Sequence, residues 1–341
     1  MDQTLIPVSD ESGWTRALAG LRHAFGHRWV YGCAMERSSG LKTFLYVARE
    51  GSHAAVCPLS FREKESGYGE LVSPYGFAGI VSNFSAEEAQ ALPAEWFRFC
   101  QKNGFVTAYV MQNPLFPLTN LAWRGRLTDH HTLYLVDLTP SAGELWKQMG
   151  ETHRYEIRRL AGSGAAEVVT DNARLKNSFK RLYPETLERV HASKVYHFSD
   201  AALDQLMESS GALLVGVEDH AGIQAVSLFL HTPWVAEYFL SASSMDGRKY
   251  SRQVIWTAMT LLKETGVACL NMGGGVRPGD SIDQFKRRFG GRAVSGQVLK
   301  AIFDQEKYAC LCRKHCAGNE AKISFFPPYW AAVSHGDSER Q

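Results

Sequence analysis

Long hydrophobic runs are missing from this chain. No apolar stretch approaches the ~18 residues of a membrane-crossing helix, so no transmembrane span is expected. The opening, MDQTLIPVSDESGW, has neither a basic start nor an apolar centre. No secretory leader is expected, and the cytoplasm is the expected compartment. An excess of either charge is missing too. Lys and Arg number 37 against 35 Asp and Glu, a formal net charge of +2. That excludes nucleic-acid binding by bulk charge and leaves room only for a local basic patch. The histidines form no His-x-x-x-Asp or His-Glu-x-x-His, and no Gly-x-Ser-x-Gly occurs, so hydrolase chemistry has no support. Sustained heptads are absent, which excludes a coiled-coil arm.

Cysteine is present but not organised as staples. There are 7, an odd number, which suits a reducing compartment. Cys33, Cys57, Cys100 and Cys269 lie far apart and read as small buried hydrophobes. Cys310, Cys312, His315 and Cys316 lie together, and such N/S ligands suit zinc in kind. Their spacing is not a usual zinc pattern, and the stretch reads as a helix after Asp304. No metal site is expected.

What remains is an ordinary globular composition, 45% hydrophobic and 21% charged over 341 residues, long enough for two cored domains. The second half has the clearer pattern. TLYLVDL (132–138) alternates as a strand. Ser141 and Glu144 form a capping box before one helix carrying Leu145, Met149, His153, Ile157 and Leu160, ending at Gly162 and Gly164. A second helix carries Leu175 to Val190, and Pro184 should kink or split it. A third begins near Ser199. The period then changes to 2. Residues 212–218, 223–231 and 234–242 read as an antiparallel meander. A helix follows from about Ser251 to Thr265, then strand VACLNM (267–272), loop GGGVRPGD, a short helix SIDQFKRRF (281–289) and a strand over 291–303.

The first half repeats that order. FLYVAREGSHAAVCPLSF (44–61) aligns with LLVGVEDHAGIQAVSLFL (213–230), and WFRFCQKNGFVTAYVM (96–111) with MTLLKETGVACLNM (259–272). This reads as an internal duplication. The expected domains are residues 1–130, residues 131–305, and a tail, 306–341. Its SFFPPYW (324–330) should pack back on the first domain, with the last residues disordered. The join is expected between Pro114 and Thr139.

The order β-β-β-α-β is the core of the GNAT acyltransferase fold, in which a donor pyrophosphate sits at a helix N-terminus after the third strand. The corresponding loop here, SMDGRKYSRQ (244–253), lacks the glycine spacing of acyl-CoA users but carries Arg248, Lys249 and Arg252. A donor-phosphate cradle and a solvated basic turn are both open readings. Arg154 and Arg158 share a face of the basic helix HRYEIRRLAGSG (153–164) and pose the same choice. The glycines of GGGVRPGDSIDQFKRRFGG (273–291) allow close approach of backbone to a ligand. Lys286, in the helix after them, is of the right type to hold an oxyanion.

Over residues 40–330 the chain resembles the FemAB-type branch of the GNAT superfamily, including BioF2-like acetyltransferase domains. The resemblance rests on SPYGFAG (73–79), the basic helix, LYPETLERV (182–190), EYFLSASS with RKYS (248–251), the GGG…PGDS…FKRRFGG run and FFPPYW (325–330). It implies two tandem GNAT-like domains of α/β (α+β) class, each a mixed, mostly antiparallel sheet flanked by helices. It implies transfer of an acyl or aminoacyl group to an amine, from aminoacyl-tRNA or acyl-CoA as co-substrate, with no tightly bound cofactor. Family members add amino acids from aminoacyl-tRNA to peptidoglycan precursors, and others acylate amino sugars or small amines. Lys286 and Phe285 match the family's FK pair and carry over as catalytic. Tyr75, Arg189, Tyr238, Gly274 and Gly275 match acceptor-binding positions. Arg154, Arg158, Arg248, Lys249 and Arg252 are the donor-side residues, with a tRNA acceptor stem among the partners they suit. The absent helical arm matches shorter members. No general base stands out: Asp283 and Glu237 are the nearest carboxylates, and Glu237 and Tyr238 should point to opposite faces of one strand.

Overall fold

The computed structural model describes residues 1–116, 123, 127–275, 277, 279–316, 318 and 323–331. Its strands are β1 (Asp2–Pro7), β2 (Thr43–Glu50), β3 (His53–Glu63), β4 (Gly69–Val72), β5 (Val81–Ser82), β6 (Thr107–Met111), β7 (Leu127–Asp137), β8 (Ala166–Val169), β9 (Ala212–Asp219), β10 (Gly222–His231), β11 (Ala236–Ser243), β12 (Cys269–Asn271) and β13 (Arg292–Ile302). The helices are α1 (Glu11–Leu18), α2 (Trp29–Ser39), α3 (Ala86–Lys102), α4 (Ala142–Gln148), α5 (Glu151–Ser163), α6 (Asn172–Arg189), α7 (Asp200–Met207), α8 (Ser251–Glu264), α9 (Ser281–Arg287) and α10 (Gln305–His315). The fold is mixed α/β, and its sheet is mostly antiparallel.

All strands join one sheet, in the order β1-β2-β3-β4-β6-β13-β7-β12-β11-β10-β9-β8, with β5 paired to β3. The order has the same grammar from either end. Three antiparallel pairings lead to a parallel one, β4 with β6 in the first half and β11 with β12 in the second. The aligned glycines Gly104 and Gly266 end the matching helices α3 and α8 in the left-handed region, at φ 74° and 82°. The duplicated topology is therefore physical.

The centre of the sheet departs from a simple tandem. Strand β13, which closes the segment assigned by sequence to the second domain, lies between β6 and β7 and pairs with both. Its Leu299 and Ala301, with Phe303, pack among Trp96, Cys100 and Val110 in the first half's core. Conversely Phe25, Tyr31, Ala34 and Met35 pack with α6 and α7 of the second half. The tail also returns to the first half: the Trp330 indole N–H donates to Glu70 Oε2 at 2.6 Å, and Tyr329 is buried with Val106. The expected disorder of the last residues falls at 332–341, outside the described residues, as does part of the expected join.

Two helix expectations need correction. The single helix after Ser141 is two, α4 and α5, broken at Met149 and Gly150. The Gly150 N–H leaves the helical ladder and donates to the Arg288 carbonyl at 2.8 Å. Pro184 does not split α6, which runs on to Arg189 with Pro184 exposed. The cysteine-rich stretch is the helix α10, capped by Asp304, with Cys312 and Cys316 buried. Among the described residues no cluster is suited to a metal, and no helix is long and apolar enough to cross a membrane.

Candidate active site

Strands β11 and β12 pair over only two positions, Ala236 with Leu270 and Glu237 with Asn271. The loop after β12 brings the glycine run to the opening beyond that pairing. Asp280 caps α9, its carboxylate accepting from the N–H groups of Asp283 (2.7 Å) and Arg277 (2.9 Å). Lys286, in the last turn of α9, is thereby aimed back at the loop. Its Nζ donates to the Gly274 carbonyl at 2.8 Å and lies 5.7 Å from the centre of the Tyr238 ring. Desolvation pushes its pKa down to about 8, against the opposing pull of Asp280 and Asp283. Among the described residues Lys286 forms no ion pair.

The glycines serve packing here. A Cβ on Gly274 would lie 2.1 Å from the Thr132 carbonyl oxygen, and one on Gly275 would lie 2.5 Å from Asp280 Oδ1. What Gly274 offers outward is its carbonyl, to Lys286. Asp283 is buried and accepts from the Gly279 N–H at 3.1 Å, so it belongs to the loop scaffold.

Phe285 is held by a residue whose weight the sequence did not show. His153, on α5, is fully buried between the Phe285 and Phe289 rings. Its Nε2 faces the Phe285 carbonyl at 3.0 Å, and its Nδ1 faces Arg252 Nε at 3.2 Å. A carbonyl only accepts and a guanidinium only donates, so the ring carries its proton on Nε2. Burial pushes its pKa down to about 4, which keeps the imidazole neutral. The guanidinium of Arg252 also lies 5.6 Å from the Phe285 ring centre. Of the donor-side residues, then, Arg252 in the first turn of α8 is tied directly to the FK segment. Arg154 is half-buried on α5, and its Nε is buried with no hydrogen-bond partner among the described residues. Arg158 is exposed and lies 5.7 Å from the Trp146 ring centre. Arg248 and Lys249 are exposed on the 3-10 turn (Asp246–Tyr250) that enters α8, which has no side-chain cap.

The opposite face of the sheet holds the other acceptor-side candidates. Glu237 and Tyr238 do point to opposite faces. Glu237 accepts from Asn113 Nδ2 at 3.1 Å, and burial raises its pKa to about 8. Tyr75 packs edge-on to Phe239 at 5.7 Å and to Phe198 at 5.5 Å, while its carbonyl accepts from the Tyr31 hydroxyl. It lines a cavity of about 670 Å³ together with Arg62, Tyr109, Lys194, Lys300 and Phe325. Arg189 lies at the end of α6, donating to Thr186 Oγ1 and Ser243 Oγ, both at 3.3 Å. Of the three acceptor-side side chains, only Tyr238 stands beside Lys286. The signal for the cavity was a lysine at the centre of an apolar strand, VLKAI (298–302).

This architecture is found in solved structures. FemX matches at TM-score 0.67 with 14% identity, over 91% of this chain and 99% of that one. The C-terminal domain of a putative lysylphosphatidylglycerol synthetase from Agrobacterium fabrum matches at TM-score 0.57 and 16% identity, covering 92% and 96%. L-PGS from Bacillus licheniformis matches at 0.56 and 12%, covering 87% and 93%. No protein-family model matches the sequence, and no curated protein matches it. The chain shares the fold of these structures, as its resemblance to the FemAB-type branch of the GNAT superfamily implies.

Proposed function

We propose that the protein is an N-acyltransferase, moving an acyl or aminoacyl group from a thioester or an aminoacyl-tRNA to an amine. One observation carries this reading. Lys286 is a desolvated cation whose hydrogen bond goes to a backbone carbonyl, with no carboxylate in salt-bridge contact among the described residues. Such a group is suited to charge that appears only during reaction.

In this reading the amine lone pair attacks the donor carbonyl carbon, and the C=O π pair moves to the oxygen. Lys286 Nζ–H holds that oxyanion. Collapse of the intermediate re-forms the carbonyl and expels the thiolate or the ribose oxygen, and the proton lost by the amine goes to the leaving group or to water. Arg252, Arg154 and Arg158, with Arg248 and Lys249, serve the phosphates of either donor. FemX and the lysylphosphatidylglycerol synthetases share the fold, and the second name describes aminoacyl transfer.

The test supplies labelled acetyl-CoA or labelled aminoacyl-tRNA with a panel of amines. Transfer is expected, and Lys286→Ala should reduce it by about 10²–10³-fold, as for loss of one oxyanion partner. Ribonuclease sensitivity identifies a tRNA donor. An unchanged rate in Lys286→Ala removes the assigned role.

A further inference from the structure

Two cavities share a wall where the first half meets the second. His23 and Arg28, between α1 and α2, supply one side of that wall; Ser210, after α7, and Trp234, between β10 and β11, supply the other. The smaller cavity, about 340 Å³, adds His231, and the larger, about 710 Å³, adds Leu21 and Trp29. Both volumes are in the range of small-molecule sites. The wall is tied together across the halves. Thr232 Oγ1 donates to the His23 carbonyl at 2.8 Å, and the His23 ring lies 4.9 Å from the Trp234 ring. The Trp29 indole N–H is held by the Val8 carbonyl at 2.7 Å.

Arg28 is the cation of this wall, and only part of it is spent. A guanidinium carries five N–H bonds in a planar fork. Nη1 donates to the Ser210 carbonyl and Nη2 to Ser210 Oγ at 3.0 Å, which uses its outer edge. Nε–H and the second Nη2–H, parallel along the adjacent edge, have no partner among the described residues. Two parallel N–H bonds match the two oxygens of a carboxylate. Glu11 is the one carboxylate lining either cavity, and it is exposed and makes no ion pair with Arg28. Burial lowers the pKa of His23 and of His231, so at neutral pH Arg28 is the one cation in the wall. A single charge suits a monoanion better than a phosphate dianion.

We propose that this junction is a binding site for a small monocarboxylate with an apolar body, its carboxylate on the free edge of Arg28 and its body against Trp234, Trp29 and Leu21. The site draws residues from both halves, so an occupant touches both. The proposal is independent of the acyl-transfer reading.

Titration calorimetry on the full chain tests it with four probes: phenylacetate, phenylacetamide, phenyl phosphate and acetate. Phenylacetate should bind about tenfold more tightly than each of the other three. Arg28→Gln should weaken phenylacetate about tenfold, and Arg28→Lys, which keeps the charge and loses the fork, should not restore it. Trp234→Ala should weaken phenylacetate and leave acetate unchanged. Trp234 is half-buried in the turn between β10 and β11, so its variant reads the site even if the Arg28 variants do not fold. Lys286→Ala should bind phenylacetate as the natural sequence does, which keeps this test separate from that of acyl transfer. No saturable binding of phenylacetate up to millimolar concentration overturns the proposal. So does phenylacetamide binding as tightly, phenyl phosphate binding more tightly, or unchanged phenylacetate affinity in Arg28→Gln or in Trp234→Ala.

Discussion

Arg252 and His153 are directly joined, Nε to Nδ1 at 3.2 Å, and the other nitrogen of the same ring holds the Phe285 carbonyl at 3.0 Å. The donor-side helix and the FK segment are therefore fixed to one neutral imidazole. His153→Phe keeps the packing and loses both bonds. It should cost about 1–3 kcal/mol of stability and lower transfer further than that loss explains. His153→Gln offers an acceptor and a donor again and should recover much of both. Urea unfolding and steady-state kinetics on the two variants check this. Equal transfer rates in both would show that His153 only fills space.

His153 also sets an acid limit. Its folded pKa is lowered to about 4. From about pH 6.5 downward the unfolded chain takes up a proton that the folded chain refuses. Its contribution is thus intact above pH 6.5 and eroded as pH falls towards 4. Stability measured across that range should fall less steeply in His153→Gln than in the natural sequence.

Lys286 sets an alkaline limit on activity. With a pKa near 8 it loses its proton where an ordinary lysine keeps it, and a neutral amine holds an oxyanion poorly. kcat/KM should fall about tenfold per unit above pH 8. Lys286→Arg, slower overall, should move that limb beyond pH 10. A limb that stays at 8 in the arginine variant belongs to another group.

Glu237 gives the opposite signature in stability. Its pKa is raised to about 8 by burial. The folded chain therefore keeps a proton that the unfolded chain has released above about 4.5, and stability falls as pH rises from 4.5 to 8. Glu237→Gln keeps the carbonyl that Asn113 Nδ2 reaches and cannot ionise. It should stabilise the protein by a few kcal/mol at pH 8 and by nearly nothing at pH 4.5. Thermal melts at the two values decide it, and an equal gain at both would contradict the assigned ionisation.

Gly274→Ala tests the loop. Its Cβ would meet the Thr132 carbonyl oxygen at 2.1 Å, so the loop must move and take with it the carbonyl that orients Lys286. Transfer should fall at least tenfold. Full activity would show that the loop yields without moving Lys286.

Much of this was legible in the sequence where structure is local. The hairpin read over 44–61 is β2 and β3, because alternating apolar residues and a glycine turn are a short-range code. The repeat survived in the same way, through Gly104 and Gly266. What the sequence concealed depends on distant partners. The break at Gly150 exists because the Arg288 carbonyl, far along the chain, receives its N–H. Gly274 reads as room for a ligand, yet the space is filled by Thr132. Of the candidates named together, Lys286, Phe285, Tyr238 and Arg252 gather on one face of the sheet, while Tyr75 and Arg189 lie on the other. No spacing rule records which face of a shared sheet a strand presents.

Synthesis runs from the amino terminus, so a ribosome delivers β6 long before β13. Until Phe303 has emerged, Trp96 lacks the ring it meets at 5.1 Å, and β6 has an unpaired edge beside an open core. The first half to be made is thus the last to be finished. A nascent chain that stalls before β13 presents a raw strand edge, the usual seed of aggregation. Cutting the gene between the two repeats should yield an amino-terminal product that depends on a chaperone or on the other half supplied in trans.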